Sequence, residues 1–275
     1  MPAKHTLRVL LVLCLLVGSL LACSLVPDVS VNGTPVVSST PGTSQDTPQL
    51  DHWFQGSPGV EVRSEHWKSP GDNEDIVTIV RIDLHKVHLQ VAYQPNQPLL
   101  MSEWMKQTNA LAVINGGYFD SHNQPTALLI SDGQTYGTSY SGFGGMLSVD
   151  NQGNVSLRSL SQQPYDPNNE QLQQATQSSP MLMVNGKRTQ FDANAASSRR
   201  SVVAIDTQGR LLLIASPNQA FSLDELADLL ASSDLSIKTA LNLDGGASTG
   251  LYVHSGSQQV VIDPLTPLPI VIVVK

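Results

Sequence analysis

An apolar strand runs into polar residues and paired glycines at Leu241-Asn242-Leu243-Asp244-Gly245-Gly246-Ala247-Ser248. The same arrangement occurs earlier in the chain, at Ile114-Asn115-Gly116-Gly117-Tyr118-Phe119-Asp120. Paired glycines permit positive φ angles and let the backbone approach a ligand closely. An Asn or Asp at the end of a core strand is rigidly held, as site residues need to be. Each segment alone is also typical of a tight turn, but together with the motifs below they indicate a functional site.

Strands dominate the rest of the predicted structure. Ser222-Leu223-Asp224-Glu225 is a capping box, and apolar residues at helical spacing follow it. A short second helix is predicted with Ser102 as its N-cap. Residues 76–84 and 87–93 are predicted to pair as a hairpin, and the Gln-rich residues 161–176 to form a surface excursion. The fold class is therefore α+β, a single strand-rich domain with a mixed or antiparallel sheet core and few helices.

Two further segments place polar side chains at the start of a strand. Arg199-Arg200 leads directly into Ser201-Val202-Val203-Ala204, and an Arg there can hold an anion with its planar fork of donors. A solvated strand entrance would look the same. Gln177-Ser178-Ser179-Pro180-Met181-Leu182 brings hydroxyl groups into another strand.

The order of these motifs resembles the phosphodiester glycosidase family. The resemblance covers about residues 77–274 and includes the apolar segment that ends the chain. The motifs that carry it are Asn-Gly-Gly-Tyr-Phe at 115–119, Gln-Ser-Ser-Pro-Met-Leu at 177–182, Arg-Ser-Val-Val-Ala at 200–204, the helix motif at 222–227 and Asn-Leu-Asp-Gly-Gly-Ala-Ser at 242–248.

The resemblance implies a glycosidase that cleaves a glycosyl-1-phosphodiester, of the N-acetylglucosamine-1-phosphodiester kind. It implies three catalytic residues, Asp244, Arg200 and Asn115. The implied substrate-binding residues are Gly116, Gly117, Tyr118, Ser178, Asn242, Gly245, Gly246 and Ser248. Ser179 and Ala247 depart from the family, which usually has Gly at the first position and often Gly or Pro at the second. These departures leave a non-catalytic glycan-binding surface lipoprotein, with a degenerate pocket, as the alternative function.

The residue types suit this chemistry, which passes through an oxocarbenium-like state. Arg200, with the Gly116 and Gly117 amides, is expected to stabilise the leaving phosphate. Asp244 is expected to be the nucleophile or the base for water, and Asn115 to orient the sugar hydroxyls or the phosphate. Asp120 is a candidate second carboxylate. No cofactor is expected, and no His, Asp or Glu spacing predicts a metal site.

A serine esterase is a competing hypothesis. Gly246-Ala247-Ser248-Thr249-Gly250 fits the G-x-S-x-G pattern of a nucleophile elbow. The elbow requires a helix after the serine and a His later in the chain. The following residues, Leu251-Tyr252-Val253, are typical of a strand, and no His follows Asp263.

The N-terminus predicts export. Lys4 and Arg8 precede an apolar run that is shorter than the roughly 20 residues of a membrane-spanning helix. Leu20-Leu21-Ala22-Cys23 resembles the bacterial lipobox, which implies lipidation of Cys23 and a lipid-anchored, extracytoplasmic protein. An uncleaved apolar anchor is the alternative. The predicted parts are a signal peptide (1–22), the lipidated Cys with a flexible Ser/Thr/Pro linker (23–50) and a phosphodiester glycosidase-like domain (51–275).

Composition restricts the partners of the exported chain. Residues 1–22 contain two of the 15 Lys and Arg residues and none of the 23 Asp and Glu residues. The mature chain therefore has 13 basic and 23 acidic residues, a net charge of −10, which argues against nucleic acid as a partner. The expected partners are a carbohydrate or sugar-phosphate substrate and, through the lipid, a membrane. Because Cys14 leaves with the signal peptide and Cys23 carries the lipid, no disulfide is expected.

Overall fold

Antiparallel strand pairing organises the part of the chain that the structure describes. This structure is a computed structural model, and it describes residues 49–275. The predictions for the signal peptide, for Cys23 and for the linker up to residue 48 lie outside the described residues.

The described residues contain 18 strands, two α-helices and one short 3-10 helix. The helices are α1 (Met101–Thr108) and α2 (Leu223–Ser232), and the 3-10 helix spans Gly246–Ser248. The strands are β1 (Phe54–Gln55), β2 (Val60–Lys68), β3 (Glu74–Ile82), β4 (Leu89–Tyr93), β5 (Ala112–Asn115), β6 (Leu129–Ser131), β7 (Gln134–Tyr136), β8 (Gly145–Asp150), β9 (Val155–Ser159), β10 (Leu172–Ser178), β11 (Met181–Val184), β12 (Lys187–Arg188), β13 (Ser198–Asp206), β14 (Leu211–Phe221), β15 (Ile237–Asn242), β16 (Leu251–Ser255), β17 (Gln258–Ile262) and β18 (Ile270–Val274).

The strands form three sheets. The first has eight strands in the order β1-β2-β3-β14-β13-β15-β11-β12. The second has the order β7-β6-β10-β8-β9, and the third has the order β17-β16-β5-β18-β4. Every strand pair among residues 49–275 is antiparallel. The strand-rich prediction with few helices is therefore confirmed, and of the two sheet types that we expected, mixed or antiparallel, the sheets are antiparallel.

One apolar core joins the three sheets. It contains buried side chains of the first sheet such as Val203, of the second such as Leu147 and of the third such as Ile114. Helix α2 packs Leu226 and Leu230 against another face of the first sheet. Helix α1 packs on the third sheet, where the buried Trp104 donates a hydrogen bond from its indole nitrogen to the Leu268 carbonyl (2.9 Å). The core holds the ends of β5 and β15 at fixed positions, and the candidate site residues follow those ends.

The two predicted helix starts have different outcomes. In α2 the Ser222 hydroxyl accepts from the Glu225 amide (3.3 Å), and the Glu225 carboxylate accepts from the Ser222 amide (2.9 Å). The predicted capping box is therefore present, and such a cap stabilises a helix by about 1 kcal/mol. Ser102 is not the N-cap of α1. Leu100 occupies that position, and its amide donates to the Glu103 carboxylate (2.8 Å).

Two strand predictions were wrong. Strand β3 does not pair with β4, because it lies between β2 and β14, whereas β4 pairs with β18. The predicted surface excursion at residues 161–176 includes most of β10, a central strand of the second sheet. Its Gln174 and Gln177 side chains are buried and hydrogen-bonded to β4 and to neighbouring loops, which lets a polar sequence occupy an internal strand.

No helix within residues 49–275 has the length and apolar character that crossing a membrane requires.

Candidate active site

The two glycine-pair segments lie against each other where the first and third sheets meet. Asn115 is the last residue of β5, and Asp244 follows the end of β15. The Asp244 amide donates to the Gly116 carbonyl (3.1 Å), and the Asn115 side-chain amide donates to the Asp244 carbonyl (2.6 Å). Two segments far apart in the sequence thus form one structural unit.

The Asn115 side chain is the centre of this unit. It is buried, and its amide oxygen accepts from the Ser201 hydroxyl (2.6 Å) and from the Gly250 amide (3.2 Å). With the bond to Asp244, it connects β5, β13 and the segment after β15. Since its strong contacts are all within the protein, Asn115 is arranged to position Asp244. Because these hydrogen bonds occupy both the nitrogen and the oxygen of the buried side chain, they argue against the expected contact of Asn115 with sugar or phosphate.

Asp244 carries the carboxylate of the site. Burial raises the pKa of this carboxyl group above its ordinary value of 3.8, while the Ser248 hydroxyl and the Gly245 amide favour the charged form and oppose that shift. The Gly245 amide lies 3.0 Å from the Asp244 carboxylate oxygen. A partly buried carboxylate with a raised pKa is typical of acid–base and nucleophilic catalysts.

Arg200 supplies positive charge near Tyr118, a residue that the charge of Asp244 also affects. It is half-buried, its Nε donates to the Phe221 carbonyl (3.1 Å), and one of its terminal nitrogens donates to the Ala196 carbonyl (3.2 Å). Among residues 49–275 no carboxylate forms a salt bridge with it. Burial lowers the pKa of the guanidinium, and nearby Tyr118 raises it. A half-buried guanidinium without a protein counter-ion is suited to bind an anion.

Tyr118 lies close enough to both charged groups for each to affect its pKa. Burial raises its pKa to about 12; the negative charge of Asp244 acts in the same direction, and the positive charge of Arg200 acts against it. Its hydroxyl donates to the Ser179 carbonyl (2.8 Å) and accepts from the Asn242 side-chain amide (3.0 Å). The phenol is therefore neutral at physiological pH, and both charged groups are close enough to it to act on its pKa, which places Asp244 and Arg200 in the neighbourhood of Tyr118.

Asn242 and Ser178 each have a buried side-chain oxygen that has no hydrogen-bond partner among residues 49–275. The Asn242 amide nitrogen contacts Tyr118 and also the Ser179 carbonyl (3.1 Å), whereas its oxygen is buried with no hydrogen bond among the described residues. The Ser178 hydroxyl is fully buried and likewise has no partner in residues 49–275. Buried polar atoms without partners are uncommon and cost free energy.

Gly116 and Gly117 have a packing role that differs from the expected amide donation. The Gly116 amide donates to the Ile270 carbonyl (3.0 Å), and the Gly117 amide to the Thr176 hydroxyl (3.3 Å), so both are already paired. A Cβ at Gly117 would lie 2.2 Å from the Gln177 carbonyl oxygen. Gly117 therefore allows the third sheet to approach the end of β10, and Gly116 allows close packing against Ile270 of β18, whose side chain would lie 2.4 Å from an added Cβ.

The second glycine pair shapes the turn after Asp244. A Cβ at Gly245 would lie 2.9 Å from the Arg199 carbonyl oxygen, and Gly246 has a φ of +59°. The turn brings Ser248 back towards Asp244. The chain then enters β16 instead of a helix, and among residues 49–275 no His is hydrogen-bonded to Ser248, so the geometry argues against a serine esterase.

The hydrogen bonds that the Asp120 carboxylate makes within residues 49–275 do not involve the site residues described above. Asp120 is exposed, and one oxygen of its carboxylate accepts from the amides of His122 (2.8 Å) and Gln124 (2.9 Å) within a turn. Ser201 and Gly250 donate hydrogen bonds to the Asn115 side-chain oxygen, and no role was predicted for either residue from the sequence. Ser201 lies within the quoted motif beside Arg200, but its partner is 86 residues away, and the motif alone does not identify it.

A sequence profile described as phosphodiester glycosidase matches residues 108–275, which is more than half of the chain. The chain belongs to the phosphodiester glycosidase family. The match contains all the site residues above, and family membership supports a glycosidase-type function with a carbohydrate-type substrate. A search of curated proteins gives no match.

Two solved structures have a similar fold. One is the zebrafish N-acetylglucosamine-1-phosphodiester alpha-N-acetylglucosaminidase catalytic domain auto-inhibited by its pro-peptide, with 21% identity, a TM-score of 0.62, and coverage of 82% of this chain and 86% of that chain. The other is a hypothetical protein from Synechocystis, with 18% identity, a TM-score of 0.59, and coverage of 83% of this chain and 64% of that chain. At these identities the likeness shows the fold alone.

Within residues 49–275 no group of three or more His, Cys, Asp or Glu side chains could hold a metal ion.

Proposed function

We propose that this protein is an extracytoplasmic lipoprotein glycosidase that hydrolyses the anomeric bond of a glycosyl-1-phosphodiester. The substrate is N-acetylglucosamine-1-phosphodiester-like and belongs to cell-envelope or exopolysaccharide material. One observation carries the proposal. A carboxylate with a raised pKa, Asp244, and an Arg that pairs with no carboxylate within residues 49–275, Arg200, both lie close enough to Tyr118 to shift its pKa, in opposite directions.

The reaction divides between these groups. The bond between the anomeric carbon and the phosphate oxygen breaks, and the oxygen of a water molecule bonds to that carbon. Asp244 either removes a proton from this water or attacks the carbon first to form an intermediate that water releases. A phosphomonoester is a weakly basic leaving group, so Arg200 stabilises its charge and no strong general acid is required. Asn115 positions Asp244.

The alternative is a glycan-binding lipoprotein that lacks catalysis, based on Ser179 and Ala247. Ser179 contacts Tyr118 and Asn242 through its main-chain carbonyl, a contact that does not depend on its side chain. The Ala247 residue is exposed. Neither side chain neutralises Arg200 or pairs with Asp244, and this favours the enzyme.

The test is sugar release by the purified full-length protein in detergent. The substrates are a panel of α-glycosyl-1-phosphodiesters that includes UDP-N-acetylglucosamine. Asp244→Asn should lower kcat/KM by about 10²- to 10⁴-fold, and Arg200→Gln by about 10²- to 10³-fold. Asp72→Asn is the matched control, because that carboxylate is highly exposed and pairs only with Lys68 on the surface.

Folding of each variant is checked by circular dichroism. A folded Asp244→Asn variant with full activity would refute the assigned role of this carboxylate. A folded wild-type protein that releases no sugar from any substrate but binds the glycosyl phosphodiesters would favour the glycan-binding alternative.

A further inference from the structure

A stacked pair of aromatic rings lies on the loop between β7 and β8, at residues 137–144. The Tyr140 and Phe143 ring centroids are 4.5 Å apart, and the ring planes differ by 29°. Phe143 is 53% exposed although it is a large apolar side chain. Two rings in this arrangement present a flat apolar surface to solvent. The proposed mechanism has not used this surface.

The protein holds this loop firmly. The Tyr140 amide donates to the Gln177 side-chain oxygen (2.8 Å), and the Gln177 side-chain nitrogen donates to the Ser139 hydroxyl (2.7 Å). Gln177 is buried in β10. At Gly137 an added Cβ would lie 2.2 Å from the Ala127 carbonyl oxygen, so the start of the loop also packs closely. The exposed ring is therefore presented by a well-anchored loop.

The loop is continuous with the candidate active site. A Cβ at Gly144 would lie 2.7 Å from the Ser178 carbonyl oxygen and 3.5 Å from the Ser179 Cβ. Ser179 accepts the hydrogen bond from Tyr118, and Tyr140 is close enough to Tyr118 to contribute to raising its pKa. Aromatic side chains thus lead from buried Tyr118 through Tyr140 to Phe143 at the surface.

We propose that Tyr140 and Phe143 form a stacking subsite for the sugar unit that is linked through the phosphate of the substrate. The proposal rests on the proposed function. The reacting sugar must place its anomeric carbon at Asp244, which is mostly buried, and its phosphate at Arg200. The group beyond the phosphate then leads outward past Tyr118. The apolar face of a pyranose ring packs well on an exposed aromatic ring.

The test compares two phosphodiesters with the full-length protein. One is N-acetylglucosaminyl-α-1-phosphate methyl ester, and the other carries a hexose in place of the methyl group. Phe143→Ala should lower kcat/KM for the hexose diester by about threefold to tenfold and leave the methyl ester unchanged. Phe143→Trp should restore the value. Tyr136→Ala is the matched control, because Tyr136 is also exposed but its ring packs on Tyr93.

An equal effect on both substrates, or no effect on either, would overturn the subsite. If the wild type hydrolyses neither substrate, the proposed function fails, and calorimetric binding of the hexose diester decides on the subsite alone. Binding that weakens in Phe143→Ala supports it, whereas absent or Phe143-independent binding overturns it. A Phe143 effect confined to UDP-N-acetylglucosamine would assign the surface to a nucleobase and overturn the sugar assignment.

Discussion

Replacement of Asn115 by Ala should destabilise the protein strongly, because one buried amide connects three segments. The substitution leaves three groups without their partner: the Asp244 carbonyl (2.6 Å away), the Ser201 hydroxyl (2.6 Å) and the Gly250 amide (3.2 Å). A buried group left unpaired costs about 1–3 kcal/mol. The Ser201 hydroxyl can rotate, so the expected loss in the free energy of unfolding is about 3–6 kcal/mol.

Urea denaturation followed by tryptophan fluorescence measures this loss. Ser201→Ala is the matched comparison. It removes one donor while Asn115 still accepts from Gly250, so we expect a loss of only about 1 kcal/mol. A loss in Asn115→Ala no larger than that in Ser201→Ala would refute the argument that this amide holds the two glycine-pair segments together.

Three further outcomes follow from the site and from the N-terminus. Burial raises the pKa of Asp244, so activity that requires its ionised form should fall, as the pH decreases, through a midpoint above 3.8, and a kcat/KM profile with its acidic limb at or below 3.8 would contradict this. Gly117→Ala should destabilise the fold by about 1–3 kcal/mol in thermal denaturation, because the new Cβ would lie 2.2 Å from the Gln177 carbonyl oxygen; an unchanged Tm would argue against this packing role. Metabolic labelling with an alkyne fatty acid should label the wild type and Cys14→Ala but not Cys23→Ala, and a labelled Cys23→Ala protein would exclude this lipidation site.

Local signals predicted local structure well. The capping box at Ser222 predicted the start of α2 because both of its hydrogen bonds lie within one turn. The pairing of β3 could not be predicted because its partner is β2. The charged residues of β2 interrupt the alternation of apolar and polar side chains that predicts a strand. Arg63 in β2 is buried against Glu65 and Asp234, and Asp234 is distant in sequence. Only the folded chain brings that partner into place.

The same distinction applies to the site. The motifs predicted Asp244, Arg200 and Tyr118 as site residues, because their side chains carry chemistry that can be recognised one segment at a time. The packing role of Gly116 and Gly117 could not be predicted, since it depends on Ile270 and Gln177 in other strands. The stacking of Tyr140 and Phe143 on the β7–β8 loop could not be predicted either, because no local pattern relates these two rings to the motifs.

Within residues 49–275 no carboxylate pairs with Arg200, and in the proposed reaction this affects release of the product as well as binding of the substrate. A guanidinium that attracts a phosphodiester attracts a phosphomonoester, which carries more negative charge at neutral pH. We therefore expect the phosphomonoester product to be released slowly. We also expect accumulated phosphomonoester to lower the turnover rate. Inorganic phosphate or sulfate in the assay buffer would compete for the same guanidinium, and rising ionic strength would relieve both effects.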